Sequence, residues 1–186
     1  MAELTADLFV TLDGFASGID VGPYFGYSGP ELDSWVRDQP DQPQLIVMGR
    51  VIYEAVAEFS SSATDEVSAR MNDLPKVVFS NTLQEPLAWS NTRLLRGDAA
   101  EQVRALKQQS ADPLRSIGSI TLVKSMMHLG LVDRLRITIF PLLLGDAGRE
   151  PIYPGYPQAG LALIGATVLD SRLVMVEYRP ATAAAS

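Results

Sequence analysis

Three strand-like segments each end at a glycine or a small hydroxyl residue, and this recurring junction limits how the chain can fold. The segments are residues 45–49, 77–80 and 115–118. Short runs of this kind are typical of strands that are covered on both faces. Where a strand ends without a bulky side chain, the backbone N–H groups of a following helix can face an anion. The pattern therefore predicts a sheet edge that binds a nucleotide through its phosphates.

The charge and composition exclude several classes of function. The 186 residues are 47% apolar, which suits one domain with a packed core, and the formal net charge is −7. Non-specific binding to nucleic acid or to an anionic membrane requires surplus Lys and Arg, so we expect neither partner. The chain has no Cys and a single His. This excludes thiolate nucleophiles and leaves a zinc site too few strong ligands, so no metal is expected.

The ends and the apolar runs of the sequence predict where the protein resides. The first ten residues have no basic segment followed by a long apolar one. The longest uncharged apolar run, residues 137–145, contains Pro141 and is too short to span a membrane. We expect a cytoplasmic protein with one domain over residues 1–180 and a disordered tail at 181–186.

Hydrophobic periodicity and turn signals predict an alternating α/β order. The predicted strands cover residues 7–12, 45–48, 76–79, 93–95, 115–117, 135–140, 161–169 and 172–178. The predicted helices cover residues 30–38, 53–59, 65–71 and 98–109, and a last helix is capped by Ser119 and ends at Gly130. Crossover helices make the first strands parallel, and the pair joined at Asp170-Ser171 adds an antiparallel hairpin. The result is a mixed, mostly parallel sheet of about eight strands.

Residues 13–29 form a long predicted loop that is rich in Gly, Pro and Tyr. Loops of this length without structure of their own are uncommon in compact domains. The segment is therefore either a lid or binding loop over a site, or a tolerated surface insertion.

The order of short motifs along the chain resembles one family. The motifs are LeuAspGly at 12–14, MetGlyArg-x-x-TyrGlu at 48–54, SerAsnThrLeu at 80–83, IleGlySer-x-x-Leu at 117–122, GlyLeuValAsp at 130–133 and ProLeuLeuLeuGly at 141–145. Over roughly residues 6–180 they resemble the dihydrofolate reductase-like fold and, within it, the RibD C-terminal domain, the reductase part of the riboflavin deaminase-reductase. The resemblance implies a three-layer α/β architecture.

The resemblance implies NADPH as hydride donor, lying across the C-terminal ends of the central strands, where the junctions already predict an anion site. Gly49 and Arg50 would lie near the adenosine phosphates, and the planar guanidinium of Arg50 suits the 2′-phosphate. Ser80 and Asn81 would add neutral donors near the same phosphate. The alternative is local: Arg50 is a solvated helix-start residue, and residues 80–81 form an ordinary turn.

By the same resemblance, Gly118, Ser119, Ile120 and Thr121 would offer donors to the pyrophosphate at a helix N-terminus. The alternative is that Ser119 simply caps that helix. Two positions depart from the family pattern. Ile52 stands where Thr is usual, and Ser119 stands where a second glycine is common. We expect both departures to weaken NADPH binding.

Protonation of the nitrogen beside the reduced carbon calls for a carboxyl group near the pocket. Dihydrofolate reductases carry one on the first helix after the long loop. This region offers Glu31 and Asp33, and the expected position falls nearest Leu32. We assign the catalytic role to Asp33. The alternative is that both carboxylates only interact with the helix dipole.

Two residues are assigned to the substrate pocket, Asp13 and Trp35. Asp13 follows the first strand, although Asp-Gly is also a common tight turn. Trp35 can form an aromatic wall for a flat heterocycle or instead fix the loop to the core. Three further rings share these alternatives: Tyr24, Phe25 and Tyr27. The lone His128, close to Gly130, is interpreted as a helix C-terminal interaction without a catalytic role.

These observations favour an NADPH-dependent reductase that transfers a hydride to a pyrimidine- or pterin-like heterocycle. It would resemble the 5-amino-6-(5-phosphoribosylamino)uracil reductase of riboflavin biosynthesis. The 186 residues leave no room for a deaminase domain beside the reductase domain. The alternative is a non-catalytic nucleotide- or heterocycle-binding protein on the same fold. The assignment as a true dihydrofolate reductase is weakened, because the position expected to carry the catalytic carboxyl group falls nearest Leu32. The resemblance also implies a possible homodimer through the terminal strands.

Overall fold

The computed structural model describes residues 1–63 and 65–181. The strands are β1 Leu4–Thr11, β2 Phe15–Gly18, β3 Leu45–Gly49, β4 Lys76–Phe79, β5 Thr92–Leu95, β6 Leu114–Ile117, β7 Arg134–Phe140, β8 Gly148–Pro151, β9 Leu161–Leu169 and β10 Leu173–Pro180. The helices are α1 Pro30–Asp38, α2 Arg50–Ser62, α3 Glu66–Asp73, α4 Ala99–Gln109 and α5 Ile120–His128. In this part of the chain no helix is long and apolar enough to cross a bilayer.

Eight strands form one sheet in the order β5-β4-β3-β6-β1-β7-β10-β9. All neighbours from β5 to β7 are parallel, whereas β10 pairs antiparallel with both β7 and β9. The predicted mixed, mostly parallel sheet with a C-terminal hairpin is therefore confirmed. Parallel pairing aligns the C-terminal ends of β3, β6, β1 and β7 at one edge, where ligands of open α/β sheets bind.

Helices cover both faces of the sheet and make three layers. One face packs against α4 and α5 through a core that includes Val103 and Val123. The other face carries two separate apolar clusters. The cluster under α2 includes Tyr53 and Met48, and the cluster under α1 includes Leu32. Between them, β6 and β1 carry an ion pair on this face, and the candidate site lies here.

The prediction that residues 13–29 form an unstructured loop is wrong for Phe15–Gly18, which form strand β2. Strand β2 pairs antiparallel with β8 in a second, two-stranded sheet. A strand of four residues carries too little alternation to be recognised from sequence, and its partner lies about 130 residues away along the chain. Gly148 permits the pairing, because a Cβ at this position would lie 2.4 Å from the Phe15 ring. The loop is thus tied to the segment after β7.

The hairpin between β9 and β10 turns at Asp170 and Ser171, as predicted. Both residues have left-handed backbone angles, with φ of 51° and 55°, as a two-residue type I′ turn requires. The tail expected to be disordered lies outside the described residues except for Ala181. The N–H of Ala181 donates to the carbonyl of Gly160 at 2.8 Å.

Candidate active site

The β3–α2 and β6–α5 junctions lie side by side because β3 and β6 are neighbours in the sheet. The N–H of Gly49 donates to the Ser119 Oγ at 2.9 Å, and this hydroxyl donates in turn to the carbonyl of Ile117 at 3.3 Å. Ser119 has φ of 57° and makes no side-chain bond to the N-terminus of α5. The expected capping by Ser119 is therefore wrong. A left-handed residue aims its hydroxyl across the sheet edge rather than along the helix, so Ser119 joins the two junctions instead.

The Ile52 side chain packs directly against Gly118 at this edge. Gly118 has φ of +56°, and a Cβ here would lie 2.8 Å from the Ile52 Cδ1. Its N–H donates to the carbonyl of Asp7 at 3.0 Å. The two departures from the family pattern, at 52 and 119, thus lie on either side of Gly118. Ile52 replaces a hydroxyl group at the edge with a packed contact, and Ser119 adds a hydroxyl group that is used in an internal hydrogen bond.

The first turn of α5 keeps the next two predicted contact residues at the sheet edge. Thr121 is exposed, and Ile120 is half-buried against the core of the α4–α5 face. The backbone N–H groups at the start of a helix have no partner within the helix. This turn can therefore still offer donors to an anion.

Arg50 begins α2 with an accessible guanidinium group. Its Nη1 lies 2.6 Å from the Glu54 Oε2, and the two side chains are 45% and 48% exposed. An exposed pair one helical turn apart is worth only about 0.3–0.5 kcal/mol. A phosphate group can therefore replace Glu54 as the partner of Arg50 at little cost.

The side chains of Ser80 and Asn81 serve local structure. The Ser80 Oγ accepts the N–H groups of Thr82 and Leu83 at 3.1 and 3.0 Å. The Asn81 Oδ1 accepts the N–H of Gly97 at 2.8 Å. These are the contacts that the turn alternative predicts, and they fix the loop after β4 to the end of β5.

A charged group lies on the sheet between α1 and α2. Asp7 on β1 is 5% exposed, and its Oδ2 accepts a hydrogen bond from the Arg115 Nε on β6. The Arg136 Nη1 on β7 lies 3.3 Å from the Asp7 Oδ1. This group was not predicted from the sequence, although an aspartate lies within the apolar β1 and an arginine within β6. We call Asp7, Arg115 and Arg136 the cleft floor.

Trp35 lies over the cleft floor, which places it where a pocket residue is expected. Its ring is 5.6 Å from the Arg115 Cζ and 5.7 Å from the Arg136 Cζ. Such distances allow attraction between a cation and the ring face. Phe9 of β1 packs against both Trp35 and Tyr24, with ring centroids 6.0 and 5.5 Å apart. Burial raises the pKa of Tyr24, and the nearby Arg115 charge acts in the opposite direction.

The other two predicted wall residues fix the loop to the core. Phe25 and Tyr27 pack against Phe140 with ring centroids 5.1 and 5.8 Å apart. The Tyr27 hydroxyl donates to the carbonyl of Pro141 at 2.9 Å. Tyr24 and Trp35 thus lie beside the cleft floor, as a pocket wall requires, whereas Phe25 and Tyr27 fix the loop to the core.

The carboxyl groups at the start of α1 have different surroundings. The Glu31 carboxylate accepts the N–H of Asp170, while the Asp170 carboxylate accepts the N–H groups of Glu31 and Leu32 at 2.9 and 3.1 Å. Glu31 therefore joins α1 to the terminal hairpin. Asp33 is exposed, and its charge is among the causes that raise the pKa of Tyr24. Asp33 and Trp35 are two residues apart, about 200° around the helix, so Asp33 reaches the cleft floor beside Tyr24 rather than beside Trp35.

Asp13 holds two loops together. Its Oδ1 accepts the Thr11 hydroxyl at 2.6 Å, and its Oδ2 accepts the N–H groups of Leu144 and Gly145 at 2.9 and 2.8 Å. These bonds, that from Thr11 above all, lower the pKa of Asp13. The LeuAspGly and ProLeuLeuLeuGly motifs thus meet in space. His128 lies away from this edge, with its Nε2 3.0 Å from the carbonyl oxygen of Gly155.

Comparisons with known proteins give a family match and a relative along almost the whole chain. The family model of the RibD C-terminal domain matches residues 2–175. The uncharacterized protein YyaP of Bacillus subtilis (strain 168) is 25% identical over 182 residues, which cover 95% of this chain and 94% of YyaP.

Solved structures show the same fold. A candidate riboflavin biosynthesis protein from Shewanella sp. PV-4 has a TM-score of 0.71 at 20% identity, covering 98% of this chain and 100% of that one. The deaminase/5-amino-6-(5-phosphoribosylamino)uracil reductase of Thermotoga maritima has a TM-score of 0.65 at 13% identity, covering 97% of this chain and 57% of that one. Dihydrofolate reductase from Enterococcus faecalis, in complex with NADP(H), has a TM-score of 0.66 at 12% identity, with 97% of each chain covered. The three-layer dihydrofolate reductase-like fold is confirmed.

Proposed function

The chain belongs to the RibD C-terminal domain family, and on that premise we propose that it is an NADPH-dependent reductase of a pyrimidine- or pterin-like heterocycle. The observation that carries the proposal is the position of the C-terminal edge of the sheet relative to the face that carries the cleft floor. The helix N-termini of α2 and α5 meet at the C-terminal edge of the strands, and the cleft floor with Trp35 lies beside them. A nucleotide and a flat ring can therefore lie next to each other.

The residues at the edge fit the phosphates of NADPH in charge and position. In the proposal, Arg50 binds the 2′-phosphate, and the backbone of Gly118, Ser119, Ile120 and Thr121 faces the pyrophosphate. Gly49, Ser80 and Asn81 shape the adjoining wall through the turns that they hold. When bound, the nicotinamide supplies the hydride.

The side chains of the protein would orient the substrate ring and supply a proton. Trp35 offers a face for stacking, Asp13 keeps the adjoining loops in place, and Asp33 is the proposed proton donor. The Tyr24 hydroxyl lies close enough to Asp33 and Arg115 to feel both charges. The proposal places substrate reduction in the cleft between α1 and α2.

The test is titration of the purified protein with NADPH and NADH by calorimetry, followed by NADPH oxidation assays with pyrimidines and pterins. Micromolar NADPH binding with weaker NADH binding, together with turnover, is expected. Tight binding without turnover would favour the alternative of a non-catalytic binding protein. The Ile52 contact and the use of the Ser119 hydroxyl within the protein are the observations on that side. No binding of either nucleotide would overturn the proposal.

The substitution Arg50→Ala is expected to remove most of the preference for NADPH over NADH. The loss should be about 1–3 kcal/mol, because hydrogen bonds between charged groups contribute this much. Binding constants of both nucleotides for the variant provide the measurement. Glu54→Ala is the matched control, since it removes the partner of Arg50 and should leave the preference intact. An equal loss for both nucleotides would contradict the assigned role.

We further propose a homodimer formed through the terminal strands. Four apolar side chains on one face of β9 and β10 are exposed, by 38–61%: Leu161, Leu163, Val168 and Val174. Val168 lies directly opposite Val174 in the hairpin, so the side chains form a continuous apolar stripe. Burying such a stripe against a second copy would stabilise a dimer.

Sedimentation velocity tests the homodimer. The wild-type protein should sediment as a dimer at micromolar concentration, and the variant Leu163→Lys/Val168→Lys as a monomer. Leu143→Lys is the control, because Leu143 is exposed outside the stripe. A wild-type monomer at all concentrations tested would rule out the interface.

A further inference from the structure

Arg115 has unused hydrogen-bonding capacity at a nearly buried position. Its side chain is 12% exposed and binds the Asp7 carboxylate through Nε alone. A guanidinium carries five N–H donors. Among the described residues, no hydrogen bond is made by the two terminal nitrogens of Arg115. The face of the guanidinium is covered by the Trp35 ring at 5.6 Å, so only its outer edge is free.

Arg136, on the other side of Asp7, pairs with two carboxylates, those of Glu177 and Asp7. Its Nε donates to the Glu177 Oε2 at 3.0 Å, and its Nη1 lies 3.3 Å from the Asp7 Oδ1. Glu177 is itself bound by Arg134 at 2.6 Å. The ion pairs among Arg134, Glu177 and Arg136 therefore stabilise the fold. Arg115, at the other end of this series of ion pairs, can bind a further partner.

Asp7 fixes the direction in which Arg115 points. Its Oδ1 is buried and accepts no hydrogen bond, although the Arg136 charge lies nearby. A buried carboxylate held between two arginines locks their side chains and keeps the terminal nitrogens of Arg115 in one orientation. Asp7 is thus a positioning residue for Arg115.

The position of Arg115 gives this free edge a target. It lies on β6, next to β1, between the apolar clusters under α1 and α2. A flat ring that stacks beside Trp35 would present its edge to the terminal nitrogens. Their N–H groups can donate together to the two oxygens of a carboxylate or singly to a ring carbonyl oxygen, and they repel amino groups.

We propose that Arg115 is the specificity-determining residue of the site and binds an acceptor edge of the substrate ring. The acceptors are ring carbonyl oxygens or a carboxylate on the ring. The proposal deepens the proposed function and rests on it for the role of the ring as hydride acceptor. It predicts discrimination against rings that carry amino groups at the same edge.

The test compares two diaminopyrimidine rings with opposite hydrogen-bonding groups at positions 2 and 4. 5,6-Diaminouracil carries carbonyl groups where 2,4,5,6-tetraaminopyrimidine carries amino groups. Calorimetry at pH 7, without nucleotide, should show at least tenfold tighter binding of the uracil by the wild-type protein. Pyrimidine-4-carboxylate, measured in the same way, distinguishes a carboxylate partner from a dione. Equal binding of all three rings, or no binding of any, would overturn the proposal.

The substitution Arg115→Lys should reduce the preference at least tenfold, because an ammonium group retains the ion pair with Asp7 but lacks the paired donors. Arg93→Lys is the matched control, because Arg93 is exposed on the edge strand β5, and it should keep the preference. If Arg115→Lys does not fold, the variant Asp7→Asn/Arg115→Gln removes both charges together and should also lose the preference. Retention of the preference in either folded variant would overturn the role of Arg115.

The outcome is separate from that of the nucleotide titration. Failure to bind NADPH would overturn the proposed function, whereas the preference between the two rings is measured without nucleotide and depends on Arg115 alone. A ring preference that persists without NADPH binding would support Arg115 as a ligand anchor in a binding protein.

Discussion

Replacing Asp133 with alanine is expected to lower the free energy of unfolding by about 3 kcal/mol, because it strands a buried cation. The Lys107 residue is 4% exposed, and its Nζ donates to the Asp133 Oδ2 at 2.5 Å and to the carbonyl of Leu131 at 2.7 Å. The same carboxylate oxygen accepts the N–H of Leu4 at 2.6 Å. One aspartate thus connects α4, the start of β1 and the loop before β7.

Urea unfolding followed by the fluorescence of Trp35 and the buried Trp89 measures this effect. Lys107→Met removes the charge but keeps most of the side-chain volume, and we expect a smaller loss of about 1–2 kcal/mol. In the double variant the two losses should not add, since no unpaired charge remains. Asp38→Ala is the control, because Asp38 belongs to an exposed pair with Arg37 at 3.6 Å. Additive losses in the double variant would show that Asp133 and Lys107 act independently.

Replacing Asp33 with asparagine is expected to lower kcat roughly 100- to 10,000-fold, the usual effect of losing a general acid. The amide keeps the size of the side chain but carries no proton of comparable acidity. Because Asp33 is not among the residues proposed to hold the phosphates, the binding constant of NADPH should stay unchanged. Steady-state kinetics with a substrate found by the screen, together with NADPH titration, measure the two effects.

Glu31→Gln is the matched control for the role of Asp33. The Glu31 carboxylate is bound at the hairpin, so its substitution should reduce stability and leave kcat within about threefold of the wild-type value, as expected for a group outside proton transfer. A wild-type rate for Asp33→Asn would mean that another group supplies the proton. Asp7 is the carboxyl on the cleft floor that would then be tested, as Asp7→Asn.

Much of the element order could be predicted because it is encoded locally. The apolar runs at residues 45–48 and 76–79 predicted strands, and Asp98 predicted the start of α4, whose N–H groups at Ala100 and Glu101 it accepts. The Asp170-Ser171 turn was predicted from its length between two alternating strands. In each case the stabilising contact lies within one or two turns of the residue that signals it.

The burial of Lys76 could not be predicted from the local sequence. Its position in a strand was predicted, but it is 1% exposed, and its Nζ donates to the carbonyls of Met71, Asn72 and Leu74. Burial lowers the pKa of Lys76 to about 8. The lysine closes the C-terminal end of α3, where the last carbonyls of a helix lack partners. Its burial depends on the packing of α3 and Trp89 around it, which no periodicity reveals.

By itself the sequence determined the α/β order, the junctions at the strand ends and the family, because these depend on residues close together along the chain. The tertiary structure alone decided what meets at the site. The order β3-β6-β1-β7 brings Asp7, Arg115 and Arg136 together from three strands and lays Trp35 of α1 over them. The same order lets the Ser119 hydroxyl reach the N–H of Gly49, 70 residues away. Strand order follows from how the helices pack on the two faces of the sheet, and this packing is a property of the whole fold.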